Sequence, residues 1–346
     1  MSLALRQKIL TIAVVTSLAL GFTIVVSFAF GSPLPVAIIL GLLMGLAISC
    51  IEEFYVQGRP GAWMRRIRPI SAIPIYAFAI CIVFLMVQHF AYFVTGRLAD
   101  LTSAYQRYHL TIPILFVISS LIILALRVVG FIGARNLVNL LIGRYMRPII
   151  ERKIMLFLDL KGSTAAVEDL GPVKAKAYIG KFLFDISRPV TDNGGDIYLF
   201  TGDGLVAIWD WDYAIAGNNI VTAVDAINAA IDREASAYQN EFGRVPEFRI
   251  GVHGGEVVIS EQGDTKRAIG VYGDAINIAA RMEQTAKKIG VDCVFSADVV
   301  EHLPTVEKGF EPQEEVTVQG ISEPVRIYSY SAIVKFENSP ASELKK

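Results

Sequence analysis

Two aspartates, one glycine-led turn and one Asn–Arg pair have the residue types and spacing for chemistry. Asp159 lies in the run Phe157-Leu158-Asp159-Leu160-Lys161-Gly162-Ser163-Thr164, and Asp203 stands in the tight turn Thr201-Gly202-Asp203-Gly204. Paired carboxylates on short turns suit Mg²⁺, a hard cation that takes its remaining oxygens from substrate phosphates and water. The turn Gly162-Ser163-Thr164 offers backbone N–H groups to phosphate oxygens near the start of a helix. Farther on, Gly273-Asp274-Ala275-Ile276-Asn277-Ile278-Ala279-Ala280-Arg281 sets Asn277 and Arg281 four residues apart, on one helix face. A guanidinium fork stabilises charge growing on a transferring phosphoryl group, and an amide beside it can orient a sugar. An Asp in a turn is usually only a turn residue. The three features in this order point instead to metal-assisted chemistry on a phosphorylated substrate.

For the two carboxylates to meet, the strand that ends near Asp159 must lie beside the hairpin that holds Asp203. The pattern predicts a strand over Ile154–Leu160 and a helix over Pro172–Thr191, with Pro early in it. Strands follow over Asp196–Phe200 and Leu205–Trp209, joined by the Asp203 turn. A long helix is expected over Tyr213–Phe242, with Ala223, Ile227, Ala230 and Ile231 on one face. A second strand pair, Phe248–His253 and Glu256–Ser260, is expected around Gly254-Gly255. A helix over Asp274–Ile289 and short strands to Tyr330 complete the unit. The order β-α-β-β-α-β is the ferredoxin-like α+β arrangement. Many activities share that fold, so function must come from the site.

The rest of the chain is of another kind. Of 346 residues, 53% are hydrophobic and 19% charged, against about 25% charged in soluble proteins. That shortfall excludes a wholly soluble or disordered chain. Residues 1–150 hold 12 Lys and Arg against 3 Asp and Glu, whereas residues 151–346 hold 20 against 30. The basic residues do not collect on the soluble half, which argues against nucleic acid as a partner. Cys50, Cys81 and Cys293 are scattered and fit neither a disulfide framework nor a metal spacing.

Four uncharged stretches, Ile9–Phe30, Pro33–Ile51, Pro69–Gly96 and Tyr108–Leu126, run 22, 19, 28 and 19 residues. A membrane-spanning helix needs about 20. The first exceeds a signal peptide's apolar core, and three more follow it. Arg6 and Lys8, then Arg59, Arg65, Arg66 and Arg68, then Arg127, Arg135, Arg144, Arg147 and Arg152 favour one side. By the positive-inside rule that side is cytoplasmic, with both termini. The expected location is the inner or plasma membrane, multi-pass, with the lipid bilayer as a partner. Two intramembrane histidines, His89 and His109, have two readings: interfacial or helix–helix hydrogen bonding, or axial ligation of a haem. Leu137, Val138, Leu141, Ile142 and Tyr145 form an apolar stripe, so Ile132–Ile150 reads as a coupling helix ended by Pro148, or as a passive linker. The expected organisation is a four-helix transmembrane domain over 1–131, a coupling segment over 132–152, a catalytic domain over 153–332 and a polar tail over 333–346.

The motifs FLDLKGST, TGDG and GDAINIAARME resemble those of the catalytic domain of class III nucleotidyl cyclases. The resemblance covers about residues 150–332. It implies that Asp159 and Asp203, with the backbone of Leu160, bind two Mg²⁺ or Mn²⁺ ions. It implies that Gly162, Ser163, Thr164 and Gly202 line the substrate, that Asn277 orients the ribose, and that Arg281 stabilises the transition state. In that family Asn277 and Arg281 would serve the opposite subunit's metals, so the domain would act as a homodimer with shared active sites. Three positions depart from the family pattern. Leu199 stands where a base-reading Lys is usual, Gly270 where its Asp or Thr partner is usual, and Gln319 where a phosphate-binding Lys is usual. ATP is the expected substrate, and membrane-bound synthesis of cyclic AMP the expected function. The alternatives are a guanylate or relaxed-purine cyclase, and a catalytically silent nucleotide-binding receptor module.

Overall fold

The computed structural model describes residues 3–30, 32–50, 69–133, 138–140, 142–265, 267–306, 309–315 and 324–331. The chain divides into two compact units, Met1–Leu137 and Val138–Lys346. Arg59, Arg65, Arg66, Arg68, Arg135, Leu137, Leu141, Gln319 and the tail over 333–346 lie outside the described residues.

The first unit is helical where the sequence is apolar. Its long helices are α1 (Leu3–Phe30), α2 (Leu34–Cys50), α3 (Pro69–Val94) and α5 (Tyr108–Ile132). A 3₁₀ turn at Leu98–Asp100 and the short α4 (Leu101–Tyr105) lie between α3 and α5. Among the described residues one helix, Ile70–Val94, is long and apolar enough to cross a bilayer, while Val15–Phe28, Leu34–Cys50 and Tyr108–Leu124 are shorter apolar runs. Of the four spans expected, one therefore meets that length here. Helices α1 and α2 pack with little between their backbones. A Cβ on Gly41 would stand 2.7 Å from Leu20 Cα, and one on Gly45 would stand 2.5 Å from Thr16 Cα. Small residues permit such approach where the surroundings are as apolar as the side chains.

The second unit is a mixed sheet clad in helices. Its strands are β1 (Ile149–Leu160), β2 (Asp196–Phe200), β3 (Leu205–Asp210), β4 (Phe248–Gln262), β5 (Ala268–Tyr272), β6 (Cys293–Ser296), β7 (Phe310–Pro312) and β8 (Ile327–Tyr330). They lie in the order β2-β3-β1-β4-β6-β8-β7, with β5 paired to β4. Strand β1 pairs antiparallel with both β3 and β4, so β2-β3-β1-β4 form the expected ferredoxin-like core. The helices are α6 (Ser163–Leu170), α7 (Pro172–Asp192), α8 (Trp211–Ala216), α9 (Asn219–Phe242), α10 (Asp274–Ile289) and α11 (Ala297–Val300). Alternation along β1 divides the core. Leu156, Leu158 and Leu160 join Phe182, Ile186, Ile227 and Tyr238 on one face. Met155 joins Val257, Ile259, Ala275 and Ala279 on the other.

Four expectations need correction. Gly254-Gly255 is no turn, because β4 runs unbroken through it. Both glycines instead permit close packing: a Cβ on Gly254 would collide with the Trp211 ring, and one on Gly255 would stand 2.9 Å from Ala275 Cβ. The long helix over Tyr213–Phe242 is two, α8 and α9, broken at Gly217 and Asn218, whose φ is +51°. The helix that follows the Gly162 turn is a separate one, α6, which ends at Gly171, φ +74°, before the expected helix begins at Pro172. The coupling helix does not reach Pro148. Val138–Leu140 is helical, but the chain then turns at Gly143, φ +67°, and β1 begins at Ile149. Tyr145 is buried against the β1–β4 face, and Ile149–Arg152 pair with β4. Those sheet contacts outweigh the helical propensity of the stripe.

Candidate active site

Strand β1 delivers Asp159 near its C-terminal end, half-buried. Strand β3 lies directly beside it, with Leu158 opposite Leu205. The intervening turn is closed by Thr201 N–H donating to Gly204 O at 3.0 Å, with Gly202 at φ +95°. Gly204 packs so tightly on the Leu158 carbonyl that no side chain could stand there. The turn therefore brings Asp203 beside the end of β1, close enough for its charge to act on the Asp159 carboxyl. Burial pushes the Asp159 carboxyl above its usual range, the Asp203 charge adds to this, and Arg249 and Lys287 oppose it.

Three neighbours of this pair were not foreseen. Arg249 stands opposite Asp159 in the β1–β4 register. Glu283, on α10, has its carboxyl raised by burial and then by Asp159, with Arg249 and Lys287 opposing. Lys287 follows Glu283 by one helical turn. Only the strand register and the docking of α10 bring these residues together, although AARME does place Glu283 two residues after Arg281.

The phosphate-sized turn is also in place. Gly162 is left-handed, φ +66°, and precedes the first turn of α6, where Ser163 and Thr164 lie. Leu160 ends β1 with its side chain buried, and the Lys161 N–H donates to Glu247 O at 2.7 Å. The Lys161 ammonium pairs with the Asp292 carboxylate. Asn277 and Arg281 sit on α10, Asn277 exposed and Arg281 half-buried. With 3.6 residues per turn, their face lies roughly 120° around the helix from Glu283 and Lys287. Leu199 is exposed on β2, and Gly270 lies on β5 opposite Ser260. In the helical unit, His89 Nδ1 is 2.6 Å from Leu85 O and Nε2 is 2.7 Å from Tyr105 Oη. With both ring nitrogens so bonded, His89 has none to offer an iron. His109 is exposed on α5.

Two half-buried carboxylates placed side by side fit a divalent cation, which would relieve their repulsion. Among the described residues no group of three or more His, Cys, Asp or Glu is arranged to hold an ion. Further oxygens would have to come from backbone, water or a phosphorylated ligand.

Paired carboxylates on this fold fit a metal-dependent site, and similarity to known proteins says more. Residues 150–331 match the adenylate and guanylate cyclase catalytic domain. The chain belongs to that family. It is similar to adenylate cyclase 2 of Rhizobium meliloti (strain 1021), 34% identical over 212 residues that cover 61% of this chain and 58% of the relative. It is also similar to an adenylate cyclase of Anabaena cylindrica, 28% identical over 192 residues, covering 53% of this chain and 37% of the relative. The chain thus matches less than two thirds of either relative's length. A solved bacterial light-regulated adenylyl cyclase shares the fold, with a TM-score of 0.54 at 19% identity over 66% of this chain and 67% of that one.

Proposed function

We propose that the chain is a membrane-anchored adenylate cyclase that converts ATP to 3′,5′-cyclic AMP and pyrophosphate, a second messenger synthesis. The approach of Asp203, in the β2–β3 turn, to Asp159 at the end of the neighbouring β1 carries the reading. Those carboxylates, with the Leu160 backbone carbonyl, would hold two Mg²⁺ or Mn²⁺ ions. When bound, such ions make the ribose 3′-hydroxyl a better nucleophile and neutralise phosphate charge. Gly162, Ser163 and Thr164 would receive phosphate oxygens on their N–H groups, with Gly202 leaving room beside Asp203. Asn277 would orient the ribose, and Arg281 would donate to the charge that builds on the α-phosphoryl group during in-line attack. Leu199 and Gly270 would line the base, and Gln319 the terminal phosphates.

The placement of α10 supports a homodimer with shared sites. Its Glu283 and Lys287 face the chain's own Asp159. The Asn277 and Arg281 face points elsewhere around the helix, as it must if it completes a second copy's site. The helical unit supports membrane anchoring by more than one helix. Leu18, Phe22 and Phe28 on α1, Leu42 and Leu46 on α2, Phe78 and Phe93 on α3 and Leu121 on α5 are all exposed. With Ile70–Val94 of spanning length, the shorter apolar helices would complete a multi-pass anchor, with both termini on the cytoplasmic side that the Arg and Lys pattern favours. The purified protein with Mg²⁺ or Mn²⁺ and ATP or GTP, scored for cyclic product, tests the proposal. Cyclic AMP as the main product is expected, and no cyclic product from either nucleotide refutes it.

A further inference from the structure

Resting on that cyclase reading, we propose that Gln262 reads the purine base of the substrate, and that Tyr272 orients its amide. The site so far lacks a polar group for the base, since Leu199 has no donor and Gly270 no side chain. The β4–β5 hairpin supplies one. Ser260 is opposite Gly270 and Gln262 opposite Ala268, so Gln262, Gly270 and Tyr272 share one face. A Cβ on Gly270 would stand 2.7 Å from the Tyr272 ring, and 2.9 Å from both the Tyr272 hydroxyl and Gln262 Cδ. These two side chains therefore fill the space that a longer residue at 270 would take. The Tyr272 hydroxyl donates to Gln262 Oε1. The same strand is tied to the neighbour of Leu199, because Val271 N–H donates to Tyr198 Oη at 3.2 Å. Gln262 and Tyr272 are both exposed, and so open to a ligand.

The chemistry suits adenine. A primary amide carries an acceptor and a donor side by side, which match the exocyclic N6–H donor and the adjacent ring-nitrogen acceptor. A free amide could flip to suit guanine, whose exocyclic oxygen accepts and whose ring N–H donates. Tyr272, by holding Oε1, fixes one orientation of the pair. Gly270 is then the residue that makes room for this arrangement, and its lack of a side chain is a feature of the base site.

The test uses the full-length protein with equimolar ATP and GTP, and reads the ratio of cyclic AMP to cyclic GMP. Gln262→Glu replaces the donor with a second acceptor and should lower the ratio roughly tenfold or more. Tyr272→Phe should lower it less, in the same direction. Gln262→Met, which keeps the shape without the amide, guards against a charge effect on folding. Its readout is the preference for ATP over purine ribonucleoside 5′-triphosphate, which lacks the 6-amino group. That preference should be present in the wild type and collapse in Gln262→Met. Variants that form cyclic product with both ratios unmoved overturn this inference alone. A wild type that cyclises no nucleotide overturns the cyclase reading, and this inference with it.

Discussion

The two units dispose of their apolar side chains in opposite ways. In the helical unit the large apolar side chains point outward, among them Phe22, Phe28, Phe78 and Phe93. The backbone satisfies its own hydrogen bonds within each helix. In the catalytic unit Trp209, Phe182, Phe295 and Ile154 are fully buried, and the ladder around β1 satisfies the backbone. Burial of apolar area drives the second packing. The first relies on close backbone contact at Gly41 and Gly45. Each unit also carries a histidine that shows the difference. His89 is bonded by one helix to a neighbour's tyrosine. His253 is buried in the sheet with Nδ1 2.8 Å from Ser296 Oγ, and burial lowers its pKa to about 4.

Four experiments bear on this division, in order of decreasing effect. Asp159→Ala or Asp203→Ala should cut cyclic AMP formation by roughly 10³-fold or more, because each removes a carboxylate from the metal pair. Thermal unfolding of the catalytic unit should persist, and near-wild-type turnover would sever the site from its assigned chemistry.

Co-expressing Asp159→Ala with Arg281→Ala chains should restore activity to about a quarter of wild type. Random pairing makes about half the dimers mixed, and each mixed dimer has one intact site of two. Mixed dimers without activity would place both residues in one chain's site.

The third experiment concerns His253. Its folded pKa lies below the unfolded value of 6.5, so protonation favours the unfolded state. The stability it preserves is complete above pH 6.5 and is lost as pH falls towards about 4, amounting to about 3 kcal/mol. Urea unfolding followed by tryptophan emission across this range should show the decline, and His253→Gln should flatten it. Equal slopes for both proteins would show that His253 does not carry the effect.

The smallest effect belongs to the helical unit. Gly45→Leu should loosen the α1–α2 pair by about 2 kcal/mol while leaving cyclisation within about twofold. Disulfide trapping of cysteines placed across that pair reports it, and unchanged trapping would mean that the close approach contributes nothing.

Much of the site was legible because its parts are local. A glycine turn, a tight hairpin and a helix with residues four apart each announce themselves over a few positions. Thus Asp159, Asp203, Asn277 and Arg281 fall on the elements expected of them, and β2 and α10 have the expected bounds. Two of the misreadings share one cause. Gly254-Gly255 and the stripe through Tyr145 have local signals that long-range contacts override: the Trp211 ring and Ala275 against the glycines, and the β1–β4 face against Tyr145.

By itself the sequence determined that the chain has an apolar, basic half and an acidic, foldable half, and which motifs could hold metal and phosphate. Composition and short-range spacing suffice for that, because they act along a few turns of chain. Only the tertiary structure decided what meets across strands. The register set Arg249 against Asp159, the docking of α10 brought Glu283 and Lys287 to the same carboxylates, and the β4–β5 pairing put Gln262 and Tyr272 beside Gly270. Those encounters join residues distant in sequence, and no local propensity encodes the register that makes them.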